Sequence, residues 1–237
     1  MTNLLEINNL SVDFPSRRGQ VAAVNEVSIT VAKGEVLGLV GESGAGKSTV
    51  GNSVINLLEP PGQISGGKII FDGMRIDQLS NEEMRKIRGA RIGTIFQDPQ
   101  TSLNPLMTIG KQLSETLIET LKISGASARE KSIELLDSVG IPNPEPRLDA
   151  YPHQFSGGMR QRVAIALAIA LKQSLIIADE PTTSLDTIIA SQIMSELSSL
   201  CDEIGIALLL ISHDLSMAAK WCNKIAILDS GKIIESG

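Results

Sequence analysis

Short apolar runs alternate with segments of helical spacing along most of the chain. Residues 36–40, 175–178 and 206–211 are apolar at nearly every position, which is typical of strands buried on both faces of a parallel sheet. Apolar residues at helical spacing follow the first run, and another helix is expected from about residue 187 to 201. This alternation predicts an α/β fold whose core is a mixed, mostly parallel sheet.

Two segments near the N-terminus have the spacing of strands in an antiparallel sheet. Residues 4–10 and 21–31 carry apolar side chains in a β-type pattern, and the turn-forming residues 15–19 separate them. Residues 64–71 return to strand character and end at an Asp-Gly turn signal. We therefore predict an N-terminal antiparallel β lobe.

The middle of the chain has a helical pattern. Residues 109–121 and 126–139 place apolar side chains at i, i+3 and i+4, and the segment ends in the proline-rich run 141–146. This predicts a helical lobe, inserted between strands of the sheet, with a rigid connection at its far end. Before it, Ser80 is expected to start a short polar helix through a capping box with Glu83.

Composition narrows the class of protein. The 237 residues suffice for one domain with an insertion or for two small lobes, and 42% hydrophobic but 3% aromatic residues predict an aliphatic core. A net charge of −6 disfavours nucleic-acid binding by phosphate neutralisation.

Cys201 and Cys222 form no metal or disulfide pattern and indicate reduced cytosolic thiols. The start has no signal-peptide pattern, and the longest apolar run, 163–171, is about half a membrane span, so we expect a soluble protein with a buried helix there.

The strongest chemical motif directly follows the run at 36–40. Residues 41–49 fit the pattern GxxxxGK[ST], in which backbone N–H groups and the positive end of the next helix hold phosphate oxygens. Lys47 is expected to reach the outer phosphates, and the Ser48 hydroxyl to bind Mg²⁺. A glycine-rich strand-to-helix turn is the alternative, but strand, motif and helix pattern agree on a phosphate loop. Its residues are Gly41, Glu42, Ser43, Gly44, Ala45, Gly46, Lys47, Ser48 and Thr49.

Polar residues end the other buried runs. Asp179 and Glu180 are either solvated acids or a Mg²⁺ ligand and the group that polarises the water attacking the γ-phosphate, and the phosphate loop favours the second interpretation. Gln97 ends a strand predicted at 91–96. It is either an ordinary strand-end residue or a contact to Mg²⁺ or to the attacking water. His213 is either structural or a hydrogen-bond partner of the γ-phosphate region.

Three further residues have a structural and a binding interpretation. Ser156, followed by two glycines at the start of the apolar helix, is either a plain helix cap or part of a second anion-binding helix end. Phe14 stands just before the first turn and either belongs to the core or stacks on an adenine ring. Asp186 ends a turn that is predicted to cap the helix at 187–201.

The motifs, taken in order, resemble those of the ATP-binding subunits of ABC transporters. They are GESGAGKS, Gln97, FSGGMRQR, LIIADE, the turn ending at Asp186, and His213. The resemblance covers essentially the whole chain. It implies one nucleotide-binding domain over residues 1–237, with a P-loop NTPase core, an antiparallel β lobe and a helical lobe at about 98–160. It also implies that two such domains bind ATP and Mg²⁺ head to tail and hydrolyse the ATP.

The resemblance assigns a role to each motif. Glu180 matches the catalytic base and Asp179 the metal-site acid, while Gln97 matches the glutamine of the loop that connects the lobes. The other matches are Phe14 for the adenine-stacking aromatic, Ser156, Gly157 and Gly158 for the signature that a second chain supplies, Asp186 for the loop that crosses the dimer, and His213 for the switch histidine.

The finer resemblance is to importers of oligopeptides, dipeptides and nickel. Segments 96–105, 151–166 and 178–186 are similar to that branch, whereas residues 187–191 and Trp221 depart from it. This implies an ATPase that energises import, foremost of di- or oligopeptides, at the cytoplasmic face of the inner membrane.

The same resemblance implies the partners. They are two transmembrane permease subunits, a second ATP-binding subunit that is identical or paralogous, and an extracytoplasmic solute-binding protein, with no nucleic acid. Import of nickel or another small solute is an alternative, as are export, a soluble ABC ATPase outside transport and a non-hydrolysing nucleotide-binding regulator. Branch members usually continue beyond the position of Gly237, so either a truncation or a short member is expected.

Overall fold

The computed structural model describes residues 3–16, 19–98, 102–183 and 185–237. Its strands and helices alternate along most of the chain, as the apolar pattern predicts. The strands are β1 (Asn3–Ser16), β2 (Gly19–Ala32), β3 (Val36–Val40), β4 (Gln63–Phe71), β5 (Met74–Arg75), β6 (Ile92–Ile95), β7 (Leu175–Asp179), β8 (Ala207–Ser212), β9 (Lys224–Asp229) and β10 (Lys232–Ser236). The helices are α1 (Lys47–Val54), α2 (Asn81–Ile87), α3 (Ile109–Leu121), α4 (Gly125–Ser138), α5 (Pro144–Arg147), α6 (Gly157–Ile169), α7 (Thr187–Ile204) and α8 (Leu215–Trp221), with a 3₁₀ turn at Pro152–Gln154.

The chain forms two compact units. The first contains Met1–Arg88 and Gly205–Gly237, and the second contains Gly89–Ile204. Of the elements given above, the first unit therefore holds β1 to β5, β8 to β10, α1, α2 and α8, while the second holds β6, β7 and α3 to α7. The helical lobe predicted at 98–160 falls within the second unit, and its boundaries stay a prediction.

An antiparallel sheet in the order β2-β1-β4-β5 forms one layer of the first unit. Leu5 and Ile7 on β1 are fully buried, while Glu6 between them is half-buried, because alternate side chains of a strand point to opposite faces. The predicted antiparallel lobe is thus confirmed. Its first two strands run further than predicted, because their ladder continues through the pair Phe14 and Val21 to the hairpin end.

A second layer of the first unit is built around β3. This strand pairs in parallel with β8 on one side and with β9 on the other, and β10 runs antiparallel to β9. All five residues of β3 and all six of β8 are buried. The apolar runs at 36–40 and 206–211 therefore form buried parallel strands, as predicted.

The second unit packs helices beside a parallel strand pair. β6 and β7 pair in register from Ile92 with Leu175 to Ile95 with Ala178, and α6 packs against β6. α4 packs on both α3 and α6. The apolar face of α6 is buried as predicted, through Val163, Ala164, Ile165, Ala166, Ala168 and Ile169.

The predicted capping box is confirmed, since Ser80 and Glu83 exchange side-chain and backbone hydrogen bonds, and those bonds from Ser80 lower the pKa of Glu83. The proline-rich run contains the short helix α5, because proline is tolerated at the first helical position. No helix within the described residues has both the length and the apolar character that crossing a bilayer requires.

Glu35 joins the two layers of the first unit. Its carboxylate accepts a hydrogen bond from the Ala32 backbone N–H at 2.7 Å and one from the Lys224 Nζ at 2.7 Å, and its side chain is 10% exposed. Burial raises the pKa of this carboxyl. The hydrogen bonds from Ala32 and Lys224 outweigh that effect, so the pKa lies below its ordinary value of 4.5.

Replacing this carboxylate gives a pH-dependent test of the fold. We expect Glu35→Gln to lower the free energy of unfolding at pH 7 by about 1–2 kcal/mol, since a hydrogen bond to a charged group is lost. A lowered pKa in the folded chain stabilises it above the ordinary pKa, and this contribution disappears as the pH falls through the folded pKa. The gap between wild type and Glu35→Gln in urea unfolding should therefore shrink below about pH 4.

Lys33→Gln is the matched control for this experiment. Lys33 makes an ion pair with Asp72 at 3.4 Å, but its side chain is 61% exposed, so its loss should change the free energy of unfolding by less than about 1 kcal/mol. A gap between wild type and Glu35→Gln that stays constant from pH 7 to pH 3 would contradict the assignment.

Candidate functional site

The phosphate-loop motif occupies the connection between β3 and α1. Lys47, the first residue of α1, is only 5% exposed. Its Nζ donates hydrogen bonds to the carbonyl oxygens of Gly41 at 2.8 Å and Glu42 at 2.9 Å. The lysine side chain therefore folds back over its own loop and holds a positive charge at the start of the helix, where the helix dipole also favours an anion.

Two glycines of this loop have no room for a side chain. A Cβ on Gly41 would collide with the carbonyl oxygen of Leu228, and one on Gly46 would collide with that of Ala23. Gly46 also has a φ of 102°, which favours glycine. The loop is thus pressed against the backbone of neighbouring strands. By contrast, a Cβ on Gly44 would meet nothing within 4 Å, although its φ is 85°.

His213 lies beside the start of the phosphate loop in the first unit. Val40 and Ser212 are paired at the ends of β3 and β8, so the loop and His213 leave the sheet from neighbouring positions. The Gly41 N–H donates to the Ser212 carbonyl at 3.3 Å, which holds the two ends together. His213 itself is exposed.

Phe14 lies at the end of the hairpin of the first unit. Its ring is half-buried and packs on Gly62, where an added Cβ would lie 2.5 and 2.6 Å from two ring carbons. The ring therefore has an intramolecular packing partner and still a solvent-accessible part. Stacking of Phe14 on adenine stays a prediction.

In the second unit, the ends of β6 and β7 bring two predicted residues together. The Gln97 Nε2 donates a hydrogen bond to the Glu180 Oε2 at 3.4 Å. Each residue stands two positions beyond a paired residue, since Ile95 pairs with Ala178, and this common offset explains why the side chains meet. Asp179, at the end of β7, is half-buried like Glu180.

Thr183 is a contact of this site that the sequence analysis missed. Its Oγ1 donates a hydrogen bond of 2.6 Å to the Glu180 Oε2, and its N–H donates to the Glu180 carbonyl at 3.3 Å. Glu180 has a φ of 45°, unusual for a bulky residue, so its backbone conformation is strained. Proline after Glu180 is the signal that predicts a turn, and a turn places its fourth residue, Thr183, near its first.

Ser156 and Asp186 both cap helices of the second unit. The Ser156 Oγ accepts the Met159 N–H at 3.3 Å at the start of α6, and the Asp186 Oδ1 accepts the Ile189 N–H at 3.0 Å at the start of α7. The structural interpretation of each residue therefore applies, and Ser156 is exposed. Ser184, within the predicted turn, lies outside the described residues, as do residues 99–101 of the segment at 96–105.

The predicted Mg²⁺ ligands are oxygen donors of mixed kind. Ser48 offers a hydroxyl, Asp179 a carboxylate and Gln97 an amide oxygen, and Mg²⁺ prefers oxygen ligands. Within the described part of the chain, no three or more His, Cys, Asp or Glu residues gather in a cluster that would hold a metal by themselves. This donor set suits a metal that shares its coordination with phosphate and water.

Comparison with known proteins decides the family. The profile of the ABC transporter family matches residues 24–183, about two thirds of the chain, including the phosphate loop, Asp179 and Glu180. The chain belongs to the ABC transporter family.

Among the relatives of this ABC family member are bacterial peptide-transport proteins. The oligopeptide transport ATP-binding protein OppD of Bacillus subtilis is 45% identical over 238 aligned residues, which cover 100% of this chain and 66% of OppD. The dipeptide transport ATP-binding protein DppD of Escherichia coli is 44% identical, with 99% of this chain and 72% of DppD covered. The chain thus spans about two thirds of the length of these relatives.

Solved ABC structures share its fold. A dimeric ATP-binding cassette in a post-hydrolysis state with ADP and Pi has a TM-score of 0.87 and 29% identity, covering 98% of this chain and 97% of the cassette. CbiO1 of Clostridium perfringens, part of an ABC transporter complex, has a TM-score of 0.85 and 28% identity, covering 100% of this chain and 89% of that one. These similarities confirm the predicted fold class, an ABC ATPase with an antiparallel β layer, a sheet containing parallel strands and inserted helices.

The glycines of the phosphate loop give a paired test of this ABC site. A non-glycine residue with positive φ costs about 1–2 kcal/mol, so both Gly44→Ala and Gly46→Ala should destabilise the chain. We expect Gly46→Ala to cost clearly more and to weaken ATP binding more, because its methyl group would also displace the Ala23 carbonyl. Urea unfolding and nucleotide titration measure the two effects. Equal losses for the two variants would contradict the packing argument.

Proposed function

We propose that this chain is the ATP-binding and ATP-hydrolysing subunit that energises an ABC transporter for the import of di- or oligopeptides. The observation that carries the proposal is the carboxylate of Glu180, fixed at the end of β7 by Thr183 and Gln97 in a chain that also has a complete phosphate loop. The peptide substrate class is supported by the names of relatives that are 44–45% identical along the chain.

Nucleotide binding is the task of the phosphate loop. Gly41 to Thr49 would surround the phosphates with backbone N–H groups, and Lys47 would exchange its contacts to loop carbonyls for contacts to the outer phosphate oxygens. Phe14 would stack on the adenine. Ser48, Asp179 and Gln97 would hold Mg²⁺, which neutralises phosphate charge when bound.

We assign ATP hydrolysis to the polar side chains that follow the buried strands. Glu180 would accept a proton from the water that attacks the γ-phosphate, and Gln97 would help to place that water. His213 would donate a hydrogen bond to the γ-phosphate. Thr183 would orient the Glu180 carboxylate, a role supported by its 2.6 Å hydrogen bond.

A second ATP-binding subunit would complete the site. Ser156, Gly157 and Gly158 form a helix start in which Ser156 is exposed and the two glycines are half-buried. This helix start would bind the phosphate held by an opposing chain, and the exposed Asp186 would lie in the same interface. The other proposed partners are two transmembrane permeases and an extracytoplasmic solute-binding protein. The subunit would sit at the cytoplasmic face of the membrane, without nucleic acid.

Glu180→Gln separates binding from hydrolysis. The amide keeps the shape of the side chain but cannot accept the proton, so we expect ATP affinity to be retained and the rate of phosphate release to fall by about 10²–10⁴-fold. Lys47→Ala is the companion variant and should instead lose ATP affinity. Phosphate release by Glu180→Gln at the wild-type rate would exclude Glu180 as the base.

Thr183→Val tests whether the newly identified contact orients the base. Valine matches threonine in shape but cannot donate to Glu180, so we expect kcat to fall by about tenfold with little change in the KM for ATP. Thr183→Ser retains the donor and should keep most of the activity. Equal kcat values for the valine and serine variants would show that the hydrogen bond does not matter for turnover.

A further inference from the structure

Arg162 joins three elements of the second unit. It lies on α6, and its Nη1 donates hydrogen bonds to the Val139 carbonyl at 2.6 Å, at the end of α4, and to the Glu196 Oε2 on α7. Its side chain is 14% exposed, and that of Glu196 is 37% exposed. A single guanidinium therefore holds α6 to both α4 and α7.

The C-terminal end of α4 provides a hydrogen-bond acceptor and space for the Arg162 guanidinium. Val139 is the C-cap residue of α4, and at this end of a helix carbonyl groups lack intrahelical partners and the helix dipole favours a cation. Gly140 follows, with a φ of 69°, and a Cβ there would lie 2.6 Å from the Arg162 Nη1. The end of α4 thus leaves space that the arginine fills, and removing either charged partner leaves the other partly buried without compensation.

A second contact joins α6 to α7, one helical turn nearer the N-terminus of α6 and two turns nearer that of α7. A Cβ on Gly158 would lie 3.1 Å from the Ile189 Cγ2, so the first turn of α6 packs directly on the first turn of α7. Gly158 and Arg162 are four residues apart, and Ile189 and Glu196 are seven apart, so each pair lies on one face of its helix. The two helices therefore touch along one common seam.

The N-termini of α6 and α7 lie along this seam. Under the proposed function, both N-termini belong to the interface with a second subunit. Ser156 caps α6 and Asp186 caps α7. We propose that Arg162 is a positioning residue, which through Glu196 and Val139 holds the Ser156-Gly157-Gly158 turn and the Asp186 turn in a fixed relation. The two turns then form one rigid surface that an opposing subunit can bind without rearranging it. This inference rests on the proposed function.

The first experiment compares Arg162→Gln with Arg129→Gln in the full chain. Arg129 is a matched control on α4, with a side chain that is 47% exposed and ion pairs to Glu145 at 4.0 Å and to Asp149 at 3.9 Å. We expect Arg162→Gln to lower kcat for ATP hydrolysis by about tenfold, and Arg129→Gln to leave it unchanged. The affinity for ATP at low protein concentration should change less than about twofold in both, because the phosphate loop is untouched.

The second readout is ATP-dependent dimer formation in the Glu180→Gln background, followed by light scattering. Adding Arg162→Gln should weaken dimer formation by about tenfold. Adding Glu196→Gln should weaken it less, and the double variant should be no weaker than Arg162→Gln alone, because the two side chains act as a pair. Arg162→Lys, which keeps the charge, should recover part of the loss. If Arg162→Gln does not fold, Glu196→Gln, with its more exposed side chain, provides the test, with about a threefold loss expected.

The outcomes separate this inference from the proposed function. A wild-type chain that neither hydrolyses ATP nor dimerises would overturn both. A wild-type chain that does both, while Arg162→Gln matches it in kcat and dimerisation, would overturn the positioning role alone. Equal losses in ATP affinity and in kcat would also overturn it, because that result indicates a general loss of structure.

Discussion

Pairing of β3 with a parallel strand on each side is the constraint on which the first unit depends. Both neighbours, β8 and β9, run in its direction, so every backbone group of β3 is enclosed and its side chains are buried. Because the three strands are parallel, their carboxyl ends reach the same edge of the sheet. The chain leaves β3 at that edge, close to the backbone of neighbouring strands. The Leu228 carbonyl excludes a side chain at Gly41, and the Ala23 carbonyl excludes one at Gly46. Packing against the neighbouring strands therefore requires glycine at positions 41 and 46, whether or not a nucleotide is bound.

The parallel strands β6 and β7 also end at one edge. There, backbone strain at Glu180 and a hydrogen bond to its carboxylate contribute free energies of opposite sign. Glu180 has a positive φ, a strain of about 1–3 kcal/mol for a bulky residue. Its carboxylate accepts a hydrogen bond from Thr183, and a hydrogen bond to a charged acceptor contributes about 1.5–3 kcal/mol. The two contributions are of similar size. The hydrogen bond from Thr183 therefore offsets the backbone strain at Glu180.

Local features of both units were predictable from the sequence, and contacts between distant residues were not. The buried strands, the capping box at Ser80 and the phosphate-loop position follow from spacing and residue type. The bond between Arg162 and Glu196 joins residues 34 positions apart, and only the packing of α6 on α7 determines it. Thr183 is an intermediate case, since turn chemistry after Glu180 predicts its proximity but not its hydrogen bond. Stacking of Phe14 on adenine requires a bound nucleotide. Neither the position of Phe14 in the sequence nor its packing on Gly62 therefore decides between a core role and a binding role.

Exposure divides the proposed site into two kinds of residue. Lys47 is buried and held by carbonyls of its own loop, so the residue proposed to bind the outer phosphates is positioned within the first unit. Gln97, Ser156, Asp186 and His213 are exposed, and Glu180 is half-buried. In water, the hydrogen bonds and charges of such groups act weakly, and they act more strongly once an opposing surface removes solvent. Under the proposed function, ATP affinity should therefore be largely a property of one subunit, whereas turnover should depend on a second subunit that covers these groups. Side chains such as Arg162, which fix the shape of the covering surface, then affect the rate without touching ATP.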